Sequence, residues 1–199
     1  MHGMCEGLPE KSALNPRGAE RENRLMERVL VIGCPGSGKS TFARRLRDLT
    51  GLPLYYLDRL WHRPDGTHIP ESVFDAQLET MLREDAWIID GNYLRTLEVR
   101  LRACDTVFFL DYPVSACLVG AAVRIGRPRE DMPWVETAFD PEFRDWICAF
   151  PQEQKPQMET LLARYAAGRH IVRFGTRQQA DTYLLYLTQK ESTKMEFKD

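Results

Sequence analysis

Between Val29 and Leu46 the chain reads VLVIGCPGSGKSTFARRL. Within it, Gly33-Cys34-Pro35-Gly36-Ser37-Gly38-Lys39-Ser40 fits G-x-x-x-x-G-K-[ST] in full. Each part of that pattern has a physical task. Glycines let a short turn take backbone angles that a Cβ would obstruct, so that successive N–H groups converge on one point. A helix opening near Lys39 adds free N–H groups and a partial positive charge at the same place. The Lys39 amine then reaches the terminal phosphates, and the Ser40 hydroxyl ligates Mg²⁺. The stretch from Gly33 to Thr41 therefore predicts a cradle for a nucleoside triphosphate, with ATP and Mg²⁺ as the implied ligands. A dinucleotide fingerprint is excluded, because Lys39, Ser40 and Thr41 follow Gly38 with no third glycine.

Other residues with chemical potential sit just after apolar runs. Asp90 ends AWIID, where a carboxylate can hold Mg²⁺ through a water. Asp111 ends FFLD and is its rival, but Tyr112-Pro113 follow it, so capping of the next helix is the simpler account and Asp90 is favoured. Asp58 ends LYYLD and is a candidate base for a substrate hydroxyl. Arg59, Trp61 and His62 follow it, a cation beside aromatic surface that suits a planar or anionic acceptor. Arg124, Arg127 and Arg129 crowd into VRIGRPRED, where a closing lid would use them on the charge of phosphoryl transfer. The Gly175-Thr176 turn offers backbone for contact with an adenine ring.

The elements that must position these residues alternate. Apolar runs at Val29–Ile32, Leu54–Leu57, Trp87–Ile89, Val107–Leu110 and His170–Phe174 read as strands. Helical periodicity falls at Thr41–Leu49, Glu71–Arg83, Leu94–Leu101, Val114–Ile125, Glu142–Phe150, Gln157–Ala167 and Gln178–Leu187. Such alternation predicts an α/β fold, a three-layer α/β/α arrangement around a five-stranded, mostly parallel sheet. Ligands of such sheets bind at the carboxyl ends of the strands, which is where the residues above stand. The polar stretch from 126 to 141 is the expected short lid.

In this order the motifs resemble the adenylate kinase-like branch of P-loop kinases. Within it, the chain is similar to bacterial topology modulation proteins, small ATPases related to adenylate kinase. GSGKSTFARRL, YYLDRLWHRP, WIIDGNY, DTVFFLDYP with Cys117 and Arg124, and FRDWICAFP carry the resemblance, over about residues 28–187. It implies phosphate and metal roles for Lys39 and Ser40, and lid roles for Arg124 and Arg127. It also implies an acceptor site at the second acidic motif, with Gly91, Asn92 and Arg95 beside Asp58 and Trp61. There the chain departs from the adenylate kinase pattern: Asp90-Gly91-Asn92-Tyr93-Leu94-Arg95 lacks its proline and displaces its arginine by one position. Two functions are implied: ATP-dependent phosphorylation of a small acceptor, or an ATP-binding, slowly hydrolysing regulator acting through a protein or DNA partner.

Composition bounds the rest. With 199 residues the chain suffices for one domain, and a net charge of −2 argues against gripping nucleic acid by bulk charge. No apolar run approaches the ~18 residues of a membrane span. Residues 1–25 lack the apolar core of a secretory signal and read as a disordered extension, with the domain over 26–190 and a frayed tail over 191–199. The cysteines number five, an odd count, and none form CxxC. Reduced thiols in the cytoplasm are expected, in a monomer or homodimer, with no structural zinc.

Overall fold

The computed structural model describes residues 26–196, with side chains through Lys190. The extension expected over 1–25 and residues 197–199 lie outside the described residues. Five strands form one sheet: β1 (Arg28–Gly33), β2 (Leu54–Tyr56), β3 (Trp87–Asp90), β4 (Thr106–Leu110) and β5 (His170–Phe174). Their order is β2-β3-β1-β4-β5, and every neighbouring pair is parallel. The inner strands are buried on both faces, which is why VLVI, WII and VFFL are unbroken apolar runs. The edge strands β2 and β5 are only partly buried.

Among the described residues, eight helices complete the fold: α1 (Lys39–Thr50), α2 (Leu57–Trp61), α3 (Glu71–Leu82), α4 (Leu94–Ala103), α5 (Val114–Ala122), α6 (Pro141–Glu153), α7 (Lys155–Tyr165) and α8 (Arg177–Glu196). Travel along the sheet goes one way from β1 to β2 and the other way through β3, β4 and β5. Right-handed crossovers therefore put α1 on one face and α3 to α7 on the other. Contacts agree: α8 returns to pack on α1, whereas α4, α6 and α7 pack together. On the α1 face, Phe42 lies 5.0 Å from Phe108 and 5.6 Å from Phe174, ring to ring. The direction of travel reverses at β1, so the Gly33–Gly38 turn sits at the switch point of the sheet.

Three details differ from the sequence pattern. The one-turn helix α2 leaves no mark in it, since Leu57–Trp61 is too short to show a period. Helix α5 stops at Ala122 rather than Ile125, and α8 runs on to Glu196, beyond Leu187. The expected lid is irregular backbone throughout, folded down toward α1, and its neck is tied by Gly126 N–H to the Glu136 carbonyl at 2.7 Å. Among the described residues, no helix is long and apolar enough to cross a membrane. The four described cysteines form no disulfide.

Candidate functional site

The phosphate loop is shaped by left-handed glycines. Gly36 has φ 79° and Gly38 φ 92°, and the Ser37 N–H donates to the Cys34 carbonyl at 3.1 Å. Pro35 brings no N–H, so the donors come from its neighbours and from α1. Helix α1 opens at Gly38 with no side-chain cap and no acidic residue in its first turn. Its first N–H groups are therefore free to face an anion. Ser37 Oγ is buried and has no partner. These orphan donors fit a terminal phosphate. Lys39 Nζ rests on the Cys34 carbonyl at 3.2 Å, inside the loop it would leave to meet phosphate.

Asp90, 4% exposed, stands beside Lys39 and touches the Ser40 hydroxyl, and its Oδ1 has no hydrogen-bond partner. Burial pushes its carboxyl up to about 7, against the pull of Lys39 and Ser40. An orphan buried carboxylate oxygen next to Ser40 fits a divalent cation. Among the described residues no three acidic, histidine or cysteine side chains are poised to hold a metal unaided. That suits Mg²⁺, which keeps several waters and takes phosphate oxygens. Asp111, the rival, is already engaged by Lys155 Nζ at 2.7 Å and Arg173 Nη1 at 3.0 Å.

A second cluster lies nearby. Asp58 on α2 faces the Tyr93 hydroxyl, whose ionisation is suppressed by burial and then by Asp58. Asp58 also acts electrostatically on Arg124, where α5 gives way to the lid. Trp61 lies below, 6.3 Å from the Tyr93 ring and stacked on His68 at 4.4 Å. Arg124 is largely buried, and burial and then Arg129 lower its pKa. Its Nε lies 3.1 Å from Glu136 Oε2, yet both atoms lack hydrogen-bond geometry. A buried guanidinium left incompletely satisfied is a socket for a further anion.

Several residues expected at ligands have structural work instead. Asn92 is buried and bonds both ways to Gly33, accepting from its N–H at 2.9 Å and donating to its carbonyl at 2.6 Å. It clamps the phosphate loop with both ends of its amide. Gly91 is tight against Leu57 and gives its carbonyl to Arg100 at 2.8 Å. Arg95 is half-exposed and held bidentately by Asp75 at 2.9 Å. Arg127 is exposed and makes no ion pair among the described residues; Arg129, 2.8 Å from Asp131, is the second inward-facing lid arginine. The backbone N–H groups of Gly175 and Thr176 both go to Gln179 Oε1, while Thr176 Oγ accepts from the Gln179 N–H. This capping box starts α8 and leaves those donors unavailable to a base ring. The Cys34 side chain packs behind the loop against Cys117 and Ile147, so only its backbone faces the cradle.

Four supports escape the sequence pattern. Arg100 is fully buried in α4 and donates to the carbonyls of Gly91, Asn92, Tyr93 and Thr96. Burial draws its pKa down to about 9, so it stays charged at neutral pH. Its signal is legible in retrospect: an arginine on the apolar stripe of Thr96, Leu97 and Leu101. Arg177 donates to the Gly36 carbonyl at 3.1 Å. Asp131 ends the VRIGRPRED stretch, in which the arginines and not the aspartate suggest chemistry. Gly120 of α5 lets that helix meet the phosphate loop, since a Cβ there would run into the Gly36 carbonyl and the Arg177 guanidinium. Gly120→Ala is expected to cost about 1–3 kcal/mol and to weaken triphosphate binding, read by thermal denaturation and calorimetry.

A cavity of about 300 Å³ lies behind the loop, lined by Cys34, Tyr112, Pro113, Phe150 and Lys155 among others. Within it Asp111 is ion-paired by both Lys155 and Arg173.

Sheet order, switch-point loop and uncapped α1 together define a P-loop NTPase fold. One solved structure shares this fold. A shikimate kinase from Bacteroides thetaiotaomicron superposes with a TM-score of 0.52 at 15% identity, over 84% of this chain and 99% of its own. A shikimate kinase from Acinetobacter baumannii, in complex with shikimate, aligns at 19% identity and a TM-score of 0.47, over 88% of this chain and 98% of its own. At 15% identity the likeness to the Bacteroides protein is one of fold. No protein-family model and no curated protein matches the chain.

Proposed function

We propose that the chain is a P-loop kinase that moves the γ-phosphoryl group of ATP to a hydroxyl of a small-molecule acceptor. The observation that carries this reading is the pairing of two clusters: a triphosphate cradle at Lys39, Ser40 and Asp90, and a separate Asp58–Tyr93–Arg124 group beside it. A pure hydrolase needs only the first. The fold shared with a shikimate kinase supports the same reading. Lys39 and the free N–H groups of α1 bind and orient the phosphates, and Arg124 and Arg129 draw charge from above. Ser40 and Asp90 are suited to hold Mg²⁺, which when bound neutralises charge on the β- and γ-oxygens. Asp58, facing Tyr93, accepts the acceptor's hydroxyl proton at its carboxylate oxygen.

The test is ATP with Mg²⁺ and a panel of nucleosides, nucleotides, sugars and polyols, followed by ³¹P NMR. A new phosphate ester is the expected result; release of inorganic phosphate alone with every compound would end the kinase reading. Once an acceptor is found, Asp58→Asn should lower kcat by about 10²-fold or more, with KM for ATP little changed. One observation favours a second reading. Arg124 and Arg129 are both engaged by lid carboxylates, Glu136 and Asp131, which suits a slow ATPase of the topology modulation type. The motifs that resemble those proteins stand on the same side.

A further inference from the structure

The lid carries a carboxylate into the phosphate site. Asp131, 3% exposed, accepts from Ser40 Oγ at 3.1 Å across 91 residues of sequence. Arg129 donates to the same oxygen at 2.8 Å. The other oxygen, Oδ1, is buried without a hydrogen bond, and Arg44 Nη1 stands 3.5 Å from it. Asp90 touches the same Ser40 hydroxyl and also has a buried, partnerless Oδ1. Two carboxylates from separate elements thus converge near one hydroxyl: Asp90 has an oxygen with no hydrogen-bond partner, and Asp131 has one held only by its ion pair to Arg44. Unfilled, such oxygens cost free energy; a cation between them removes the cost.

The arginines on Asp131 are not stranded if it turns to a metal. Arg129 also has Glu136 at 3.4 Å, and Arg44 has Glu130 at 3.9 Å. Glu130 has a different task. It holds the lid to α1 and β2 through Arg47 at 3.1 Å and the Tyr56 hydroxyl at 3.2 Å.

We propose that Asp131 belongs to the cation site: with Ser40 and Asp90 it holds the divalent ion that accompanies a bound nucleoside triphosphate, so that closing the lid and taking up metal are one event. This rests on the nucleotide reading above. The test uses the full chain, a non-hydrolysable ATP analogue and Mn²⁺ as the probe, with free Mn²⁺ counted by electron paramagnetic resonance. Asp131→Asn should weaken Mn²⁺ binding in the analogue complex by about tenfold or more, while affinity for the analogue in EDTA stays at the wild-type value. Asp131→Glu, which keeps the charge and its arginine partners, should fall between the two; it decides the matter if the asparagine variant does not fold. Equal Mn²⁺ affinity in wild type and variants would overturn the inference. So would a parallel loss with and without metal, which marks general lid damage, or a parallel gain, which marks a plug. Should the wild type fail to bind the analogue at all, the nucleotide reading falls first and this inference with it.

Discussion

Lys39→Ala is expected to lower kcat/KM for phosphoryl transfer by about 10²–10³-fold, while thermal unfolding stays close to wild type. The two halves of that statement have separate causes. In the folded chain Lys39 makes one hydrogen bond, to the Cys34 carbonyl at 3.2 Å, and that carbonyl keeps the Ser37 N–H when the amine is gone. A hydrogen bond from a charged donor contributes about 1.5–3 kcal/mol when buried and less at a part-buried site such as this. Against bound phosphates the same amine is a point charge in a loop of oriented dipoles, where charge stabilisation is worth several-fold more. No neighbour replaces it, since the Arg177 guanidinium is tied to the Gly36 carbonyl. Lys39→Arg should fail almost as badly, because a planar fork does not fit a cradle built for a compact ammonium. Calorimetry with the triphosphate and steady-state kinetics check both variants; full triphosphate affinity in Lys39→Ala would remove the cradle from the account.

Arg100→Met is expected to be the most damaging change away from the ligands. It strands buried carbonyls of Gly91, Asn92 and Tyr93 at about 1–3 kcal/mol each, partly offset by relief from burying a charge, for a net loss of about 2–4 kcal/mol. For a domain of this size that lowers Tm by about 10 °C. Function should fail before the fold does. Arg100 fixes the segment after β3, which holds Asn92 on Gly33 and sets Tyr93 facing Asp58. Loss of triphosphate binding at a temperature where circular dichroism still reports a folded chain is the expected signature. A variant that melts lower but binds normally would confine Arg100 to stability.

What can be read in the chain divides along the same line. The inner strands are legible because burial on both faces leaves unbroken apolar runs, and the phosphate loop because its geometry demands glycines at set positions. The Tyr112-Pro113 pair after Asp111 already favours Asp90, and the structure supplies a cause: Lys155 and Arg173 arrive at Asp111 from elsewhere in the chain. Asn92 reads as a ligand residue because its neighbours in sequence suggest one, whereas its partner, Gly33, lies 59 residues away. The Thr176–Gln179 capping box is local and open to reading, yet the glycine beside it suggests a base contact instead. Asp131 closes VRIGRPRED, where the three arginines draw the reading and the aspartate does not. Its meaning arises only when an irregular loop returns across the sheet to Ser40.

The neck of that loop has a mechanical consequence. Gly126 and Glu136 are joined through backbone, and Glu136 also faces Arg124 at the root. The intervening chain is cinched into a bight, and a bight swings whole on its root instead of unravelling step by step. Helix α5, wedged on the phosphate loop at Gly120, is the post from which it swings. Opening should therefore register as one concerted rate across the bight, with the post exchanging its amides only when the whole domain comes apart.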